Sequence, residues 1–280
     1  MNSEQSDRSS SRTSSTTSTN SAELPGRGRG RAYRPGTRHT HMAIVYPRTT
    51  SISTADLPVD NPLQLLRRYK TVFLVDDSNS MKKRNRWSET REALASLAVS
   101  AASYGLEGID VHFLNSPKFG TDLQAEVKQL FDNVSPRGIT MIATKLENLL
   151  ADYLLRLEDA RTAEVPTRVK PVNYIIITDG TSTDDPVPVI IRAARRLDEG
   201  SFPATQVGLQ FIQIGSDPRA TEALRRLDDD IHASAGVRDI VDTTPYVPGH
   251  RFSSDMVIKA LLGGINRRVD KDGSKTNTDA

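Results

Sequence analysis

The sequence predicts an α/β fold in which a doubly wound, mostly parallel sheet carries helices on both faces. The first observation is that apolar runs such as "TVFLV" (71–75) are continuous, which is typical of strands buried on both faces. The second is that amphipathic helical patterns separate these runs, as in sheets built from strand–helix–strand units. The third is size: 280 residues, 36% of them hydrophobic, suit one domain of about 200 residues plus tails.

The strands are predicted from apolar runs rich in Val, Ile and Phe. "VNYIIITDG" (172–180) is the most apolar of them, and "KTVFLVD" (70–76) is the first along the chain. Between and after them, "GIDVHFLN", "QVGLQFIQIG" and "VRDIVDTTP" have the length and composition of strands. The five predicted strands are therefore 70–76, 108–115, 172–180, 206–215 and 237–245.

The helices are predicted from apolar residues at helical spacing and from their end signals. In the first, Trp87, Leu94 and Leu97 recur on one face, and Gly105 stops the helix. Pro186 opens a later helix, which Gly200 ends. The six predicted helices are 86–105, 123–134, 144–160, 186–200, 218–236 and 253–269.

The two ends of the chain have the composition of disordered tails. Residues 1–22 contain 13 Ser or Thr, and "PGRGRGRAYRPGTRHTH" (25–41) is rich in Arg and Gly, so neither segment is able to form a core. We therefore expect the folded body to be stable without the first 48 residues. The predicted organisation is a disordered tail (1–48), a linker with a short helix (49–68), one domain (69–268) and a disordered C-terminal tail (269–280).

The charge is divided unevenly along the chain. Residues 1–48 contain eight Arg, no Lys and three acidic residues, so the tail is basic although the whole chain has a net charge of only +2. The body is slightly acidic, and its charge therefore does not favour nucleic-acid binding. Arg-Gly repeats bind RNA by charge and stacking, so weak RNA binding by the tail remains an alternative.

The composition also bears on the compartment. The sequence contains no cysteine, which excludes disulfides and thiolate metal sites and fits a reducing environment. It contains neither an apolar run of the roughly 20 residues that span a bilayer nor a pattern typical of a secretory signal. We therefore expect an intracellular protein, cytoplasmic or else nuclear, with no membrane partner.

Oxygen-bearing side chains follow two of the predicted strands. Asp76, Ser78 and Ser80 alternate after the first strand, and Asp179 ends the strand at 172–180. Ligands of open parallel sheets bind at the carboxyl ends of the strands. Carboxylate and hydroxyl oxygens are hard ligands that suit Mg²⁺, Mn²⁺ or Ca²⁺. The competing interpretation is an ordinary turn, because Asp, Ser and Asn are common turn residues.

Three motifs together resemble the von Willebrand factor type A (vWA) domain and its metal-ion-dependent adhesion site. They are "DDSNS" (76–80), "RGITMIATKL" (137–146) and "IIITDG" (175–180). The resemblance implies a divalent metal, Mg²⁺ or else Mn²⁺ or Ca²⁺, with the hydroxyls as direct ligands and the acids often acting through water. One coordination position is left for a carboxylate of a protein partner. By position, the implied metal residues are Asp76, Ser78, Ser80, Thr140 and Asp179.

The resemblance covers residues 69–268 but has two departures. The family's loop reads Gly-Gly-Thr-Pro, whereas this chain has Gly138, Ile139, Thr140 and Met141, so only the first Gly and the Thr are kept. The segment "SPKFGTDLQ" (116–124) is shorter than in the family, so we expect a vestigial antiparallel edge strand. The compact body resembles the intracellular vWA proteins common in fungi.

The resemblance implies a non-enzymatic interaction module, and two other functions compete with it. A phosphotransfer receiver domain also places paired acids after its first strand, but the next strand here ends in Asn115. A Mg²⁺-dependent hydrolase needs a base beside the metal, and no His is predicted at a strand's carboxyl end. We expect Asp77 to be a solvated loop charge and Trp87 to pack in the core.

Overall fold

The computed structural model describes residues 66–103, 107–165 and 167–276, without the side chains of 230, 232–235 and 266–276. The predicted N-terminal tail and most of the predicted linker lie outside the described residues. One six-stranded sheet has the strand order β3-β2-β1-β4-β5-β6. Its strands are β1 (Lys70–Val75), β2 (Ile109–Phe113), β3 (Phe119–Leu123), β4 (Val172–Thr178), β5 (Val207–Gln213) and β6 (Val241–Thr244).

The helices follow the strands as the hydrophobic pattern predicts. A kinked 3-10 segment, Asn79–Asn85, lies between β1 and the first α-helix. The α-helices are α1 (Arg86–Ser103), α2 (Val127–Asp132), α3 (Ile142–Thr162), α4 (Val187–Glu199), α5 (Pro218–Ala235) and α6 (Ser254–Thr276).

All neighbouring strands are parallel except β2 and β3, which are antiparallel. β1 lies between β2 and β4, and its last residue, Val75, is opposite Phe113 on one side and Ile177 on the other. The carboxyl ends of these three strands therefore meet at one edge of the sheet. The residues that follow them come together there, and this is the edge where ligands of such sheets bind.

Two apolar layers cover the two faces of the sheet, which confirms the doubly wound architecture. Successive strand residues point to opposite faces, so Phe73 and Val75 pack with α1, α2 and α6. Leu74 and Ile176 pack on the other face with α3, α4 and α5. Because both faces are buried, the strands are continuously apolar, as the sequence indicated.

The structure differs from the prediction at three elements. The helix predicted at 123–134 is shorter, because Phe119–Leu123 form the antiparallel edge strand β3 and only Val127–Asp132 are helical. That edge strand was expected to be vestigial, but it has 5 residues, the same length as β2. The last helix extends to Thr276, into the segment expected to be a disordered tail. Among the described helices, none combines the length and hydrophobicity required to cross a membrane.

An aromatic cluster joins α1, α2 and β2. The ring centroid of Trp87 lies 4.7 Å from that of Phe131 and 5.7 Å from that of Phe113. Phe113 and Phe131 meet edge to face at 5.3 Å. Trp87 therefore packs against the core, as expected. Met81, in the kinked segment before α1, is buried in the same apolar layer.

We predict that Phe131→Ala lowers the free energy of unfolding by about 3–5 kcal/mol, because it opens a cavity in this cluster. The Phe131 side chain is 0% exposed, whereas Phe119 is 61% exposed and stacks on His112. Phe119→Ala is therefore the matched control and should cost well under half as much. Urea denaturation measures both. Equal losses for the two variants would contradict this account of the core.

Candidate functional site

The site lies where β1 and β4 end side by side. The backbone N–H of Asp76 donates to the carbonyl of Ile177 at 2.9 Å, which continues the parallel ladder by one residue past β1. Asp76 is therefore held opposite Thr178, and Asp179 follows at the same edge. The strand pairing, rather than a flexible loop, thus fixes the first carboxylate of the predicted site.

The Asp76 carboxylate is 0% exposed and is surrounded by hydrogen-bond donors. Its Oδ1 accepts from the Ser78 N–H at 2.8 Å, and its Oδ2 accepts from the Thr178 hydroxyl at 2.8 Å and the Thr140 hydroxyl at 3.4 Å. Burial is the main reason that the pKa of Asp76 lies above its ordinary value, although the hydrogen bonds from Ser78 and Thr178 act in the opposite direction. Asp76 is a buried acid that the protein stabilises with neutral donors.

The second part of the site is a chain of hydroxyls that ends on Asp179. The Ser78 and Ser80 hydroxyl oxygens are 2.8 Å apart, and the Ser80 hydroxyl donates to Asp179 Oδ1 at 2.6 Å. Asp179 is buried and Ser80 is partly exposed. The structure thus brings the five residues predicted from the sequence into one polar network at the carboxyl edge of the sheet.

Gly138 shapes the loop that carries Thr140. Gly138 has a φ of +83°, and a Cβ there would lie 2.4 Å from the Asn115 side-chain oxygen, so this position requires glycine. Its carbonyl accepts from the Asn79 N–H at 3.3 Å. Ile139, in place of the second family glycine, is 55% exposed and does not prevent Thr140 from reaching Asp76.

The expectation that Asp77 is a solvated loop charge was wrong. Asp77 is buried, and its carboxylate accepts from the Asn115 N–H at 2.7 Å, the Asn115 side-chain amide at 3.0 Å and the Ser116 N–H at 2.9 Å. The Asp77 carbonyl also accepts from the Arg137 N–H at 2.5 Å. Asp77 therefore joins the ends of β1 and β2 to the Thr140 loop, a role that depends on loop contacts distant in sequence.

Asp184 is a second acid whose role the sequence analysis missed. It lies after β4, yet it accepts from the N–H groups of Ala143 and Thr144 at 2.9 and 2.8 Å, at the start of α3. The Ser182 hydroxyl donates to it at 2.7 Å. Asp184 thus caps a helix from another loop and ties the Asp179 side of the site to the Thr140 side. The local sequence of α3 gives no capping signal, because its N-cap residue, Met141, has no side-chain acceptor suited to capping.

Arg86 is the third residue that was missed. Its guanidinium forms an ion pair with Asp179, donating to Oδ2, the oxygen that does not accept from Ser80. Arg84 and Asn85, with φ of 52° and 61°, turn the chain into α1 just before it. Two successive left-handed residues other than glycine are unusual. The sequence pattern therefore gave no indication that the chain turns here and brings Arg86 to the site.

The composition of the site is unlike a cluster of acids or imidazoles. The part of the chain that the structure describes contains no group of three or more His, Cys, Asp and Glu placed to hold a metal ion. The five predicted residues instead combine two carboxylates with three hydroxyls, and the Thr178 hydroxyl adds a fourth. His112, the histidine on β2, stacks on Phe119 with ring centroids 5.4 Å apart and is not at a strand end.

Comparisons with known proteins add little about function. No protein-family model matches the chain, and no curated protein matches it either. A solved structure of the pilus adhesin SpaC from Lactobacillus rhamnosus GG, in its open conformation, is similar, with 16% sequence identity and a TM-score of 0.41. That match covers 73% of this chain, and the chain spans only 30% of the adhesin. A likeness of this degree carries no argument about what this chain binds.

We predict that Asp184→Asn lowers the free energy of unfolding by about 1 kcal/mol at pH 7, because a charged helix cap is lost. Burial acts to raise the pKa of Asp184, but hydrogen bonds from Thr144, Ser182 and Ala143 outweigh it, and the pKa lies below its ordinary value. The stabilisation is thus fully present above the unfolded-state pKa of about 3.9 and is lost as the pH falls through the lower folded-state value.

Urea denaturation of the two proteins at pH 7 and at pH 3 measures this difference. The advantage of the wild-type protein should shrink at the lower pH. Asp152→Asn is the matched control, because Asp152 is exposed on the same helix and makes none of these contacts. A difference that is the same at both pH values would show that the Asp184 charge does not support α3.

Proposed function

We propose that this chain is a non-enzymatic protein-interaction module that binds an acidic group of a protein partner through a divalent cation. Ser78, Ser80 and Thr140 would bind the cation directly, and Asp76 and Asp179 would neutralise it, in part through water. Mg²⁺ or Mn²⁺ is the proposed cation, with Ca²⁺ as the alternative. This is an adhesion site of the vWA type.

The observation that carries the proposal is the burial of Asp76 without a cationic partner. Its carboxylate is buried, and within the described residues it makes no ion pair with Lys, Arg or His. A buried carboxylate without a cationic partner is costly, and a second buried carboxylate nearby adds repulsion. Asp179 is paired with Arg86, so Asp76 is the carboxylate of the site that lacks a positively charged partner. A divalent cation would supply it.

The donor set fits such a cation. The five side chains offer only carboxylate and hydroxyl oxygens, which are the hard ligands that Mg²⁺ and Mn²⁺ prefer. The serine oxygens are already 2.8 Å apart, and Ser80 is partly exposed, so the network has a side open to solvent. When bound, the cation would supply a positive centre that attracts a carboxylate from outside.

The surface beside the site supports an acidic partner. Lys82, Lys83 and Arg84 lie two to four residues after Ser80 and are all exposed, and exposed Arg137 lies on the Thr140 loop. These residues place local positive charge beside the site, although the body as a whole is slightly acidic. Such a patch raises the rate of encounter with an acidic partner and makes that rate sensitive to salt.

The remaining parts of the proposal rest on the sequence. The proposed location is intracellular and cytoplasmic, and the absence of cysteine fits such a reducing compartment. The basic tail, the basis of the RNA-binding alternative, lies outside the described residues. No membrane partner is proposed.

We predict that the protein binds one Mg²⁺ or Mn²⁺ ion and that Asp76→Ala combined with Asp179→Ala abolishes this binding, because the cation loses both neutralising charges. Ser78→Ala should weaken binding by about tenfold or more, since one direct ligand is removed. Titration calorimetry on metal-free protein measures the affinities. Ser88→Ala, at an exposed serine on α1, is the matched control and should bind like the wild type. Wild-type affinity in the double variant would refute the proposed site.

A further inference from the structure

The ion pair between Arg86 and Asp179 is largely buried, unlike an ion pair on the protein surface. The Arg86 side chain is only 13% exposed, and its guanidinium pairs with the buried Asp179 carboxylate. Its Nε is also buried and has no hydrogen-bond partner. Burial of an arginine with one unpaired N–H donor costs free energy, which points to a functional role for the buried positive charge.

The backbone around Arg86 leaves room for the guanidinium. Gly215, just after β5, has a φ of +86°, and a Cβ on it would lie 2.5 Å from the Arg86 Nε and 2.7 Å from its Cζ. A side chain at this position would push the guanidinium away. Arg86 therefore rests on the backbone after β5 while it reaches Asp179 after β4.

The charges at the site follow from this placement. Asp76 and Asp179 carry two negative charges when ionised, and the Arg86 guanidinium cancels one of them. A divalent cation beside the two carboxylates alone would leave the site neutral. With Arg86 in place, the loaded site keeps one positive charge, which suits one incoming carboxylate. The same guanidinium repels the cation, because like charges a few ångströms apart in a buried site interact strongly.

We propose that Arg86 is a resident counter-cation of Asp179: it stabilises the metal-free site, weakens the binding of a divalent cation, and leaves the loaded site positive toward a carboxylate. This inference rests on the proposed function and names the residue that tunes it. Asp179 keeps one oxygen on Ser80 and the other on Arg86, so a cation that takes up Asp179 fully has to compete with the guanidinium.

The test compares Mn²⁺ and Mg²⁺ binding by the wild-type chain and by Arg86→Met, which keeps the length and removes the charge. Titration calorimetry should show at least about tenfold tighter binding by the variant. In the presence of a chelator, Arg86→Met should melt below the wild type, since the two carboxylates then lack a counter-charge. Saturating Mn²⁺ should reduce that difference.

Two further variants keep the test decisive. Arg86→Gln also removes the charge but retains a polar side chain, and it replaces the first variant if circular dichroism shows that Arg86→Met does not fold. Arg219→Met removes an exposed cation at the start of α5, after β5, and should leave the affinity nearly unchanged. This control separates the effect of the paired guanidinium from that of nearby positive charge in general.

The outcomes distinguish this inference from the proposed function. If the wild type binds Mn²⁺ and the neutral Arg86 variants bind it no more tightly, the role of Arg86 is refuted and the metal site stands. If only the neutral variants bind, the role of Arg86 is supported, and the native protein does not use the metal. If neither binds at millimolar Mn²⁺, the proposed function fails and this inference fails with it.

Discussion

The arrangement of this edge of the protein depends on one constraint, a buried carboxylate at the end of β1. Asp76 is removed from solvent, yet its partners are a backbone N–H and the hydroxyls of Thr178 and Thr140. Neutral donors offset only part of the cost of burying a charge. The loops after β1 and β4 and the loop before α3 converge on this carboxylate, and their side chains form the candidate site.

The sheet makes this convergence rigid. Three parallel strands end together, and both their faces are covered by helices, so the residues that follow them have little freedom. Asp77 and Asp184 then fasten the loops to one another, the first by holding the loop after β2 and the second by capping α3 from the loop after β4. The hydroxyls and carboxylates are thus held near each other before any ligand binds, which lowers the entropic cost of binding.

Much of the fold and the polar residues of the site could be predicted from the sequence because they depend on local patterns. The continuous apolar runs predicted the central strands, and the position of Asp76, Ser78, Ser80 and Asp179 after two of them predicted where they would meet. Asp77, Asp184 and Arg86 could not be assigned in this way. Their roles depend on contacts with loops far away in sequence and, for Arg86, on two left-handed residues and a glycine after β5.

The central claim is that the oxygen network around Asp76 is a cation site whose charge Arg86 adjusts. The most direct measurement is anomalous diffraction from crystals of the full chain soaked in Mn²⁺. The account predicts one Mn²⁺ peak within coordination distance of the Ser78, Ser80 and Thr140 hydroxyls, and a weakened contact between Arg86 and Asp179. No peak at this position, with the Ser80 hydroxyl still donating to Asp179 in Mn²⁺-soaked crystals, would contradict it.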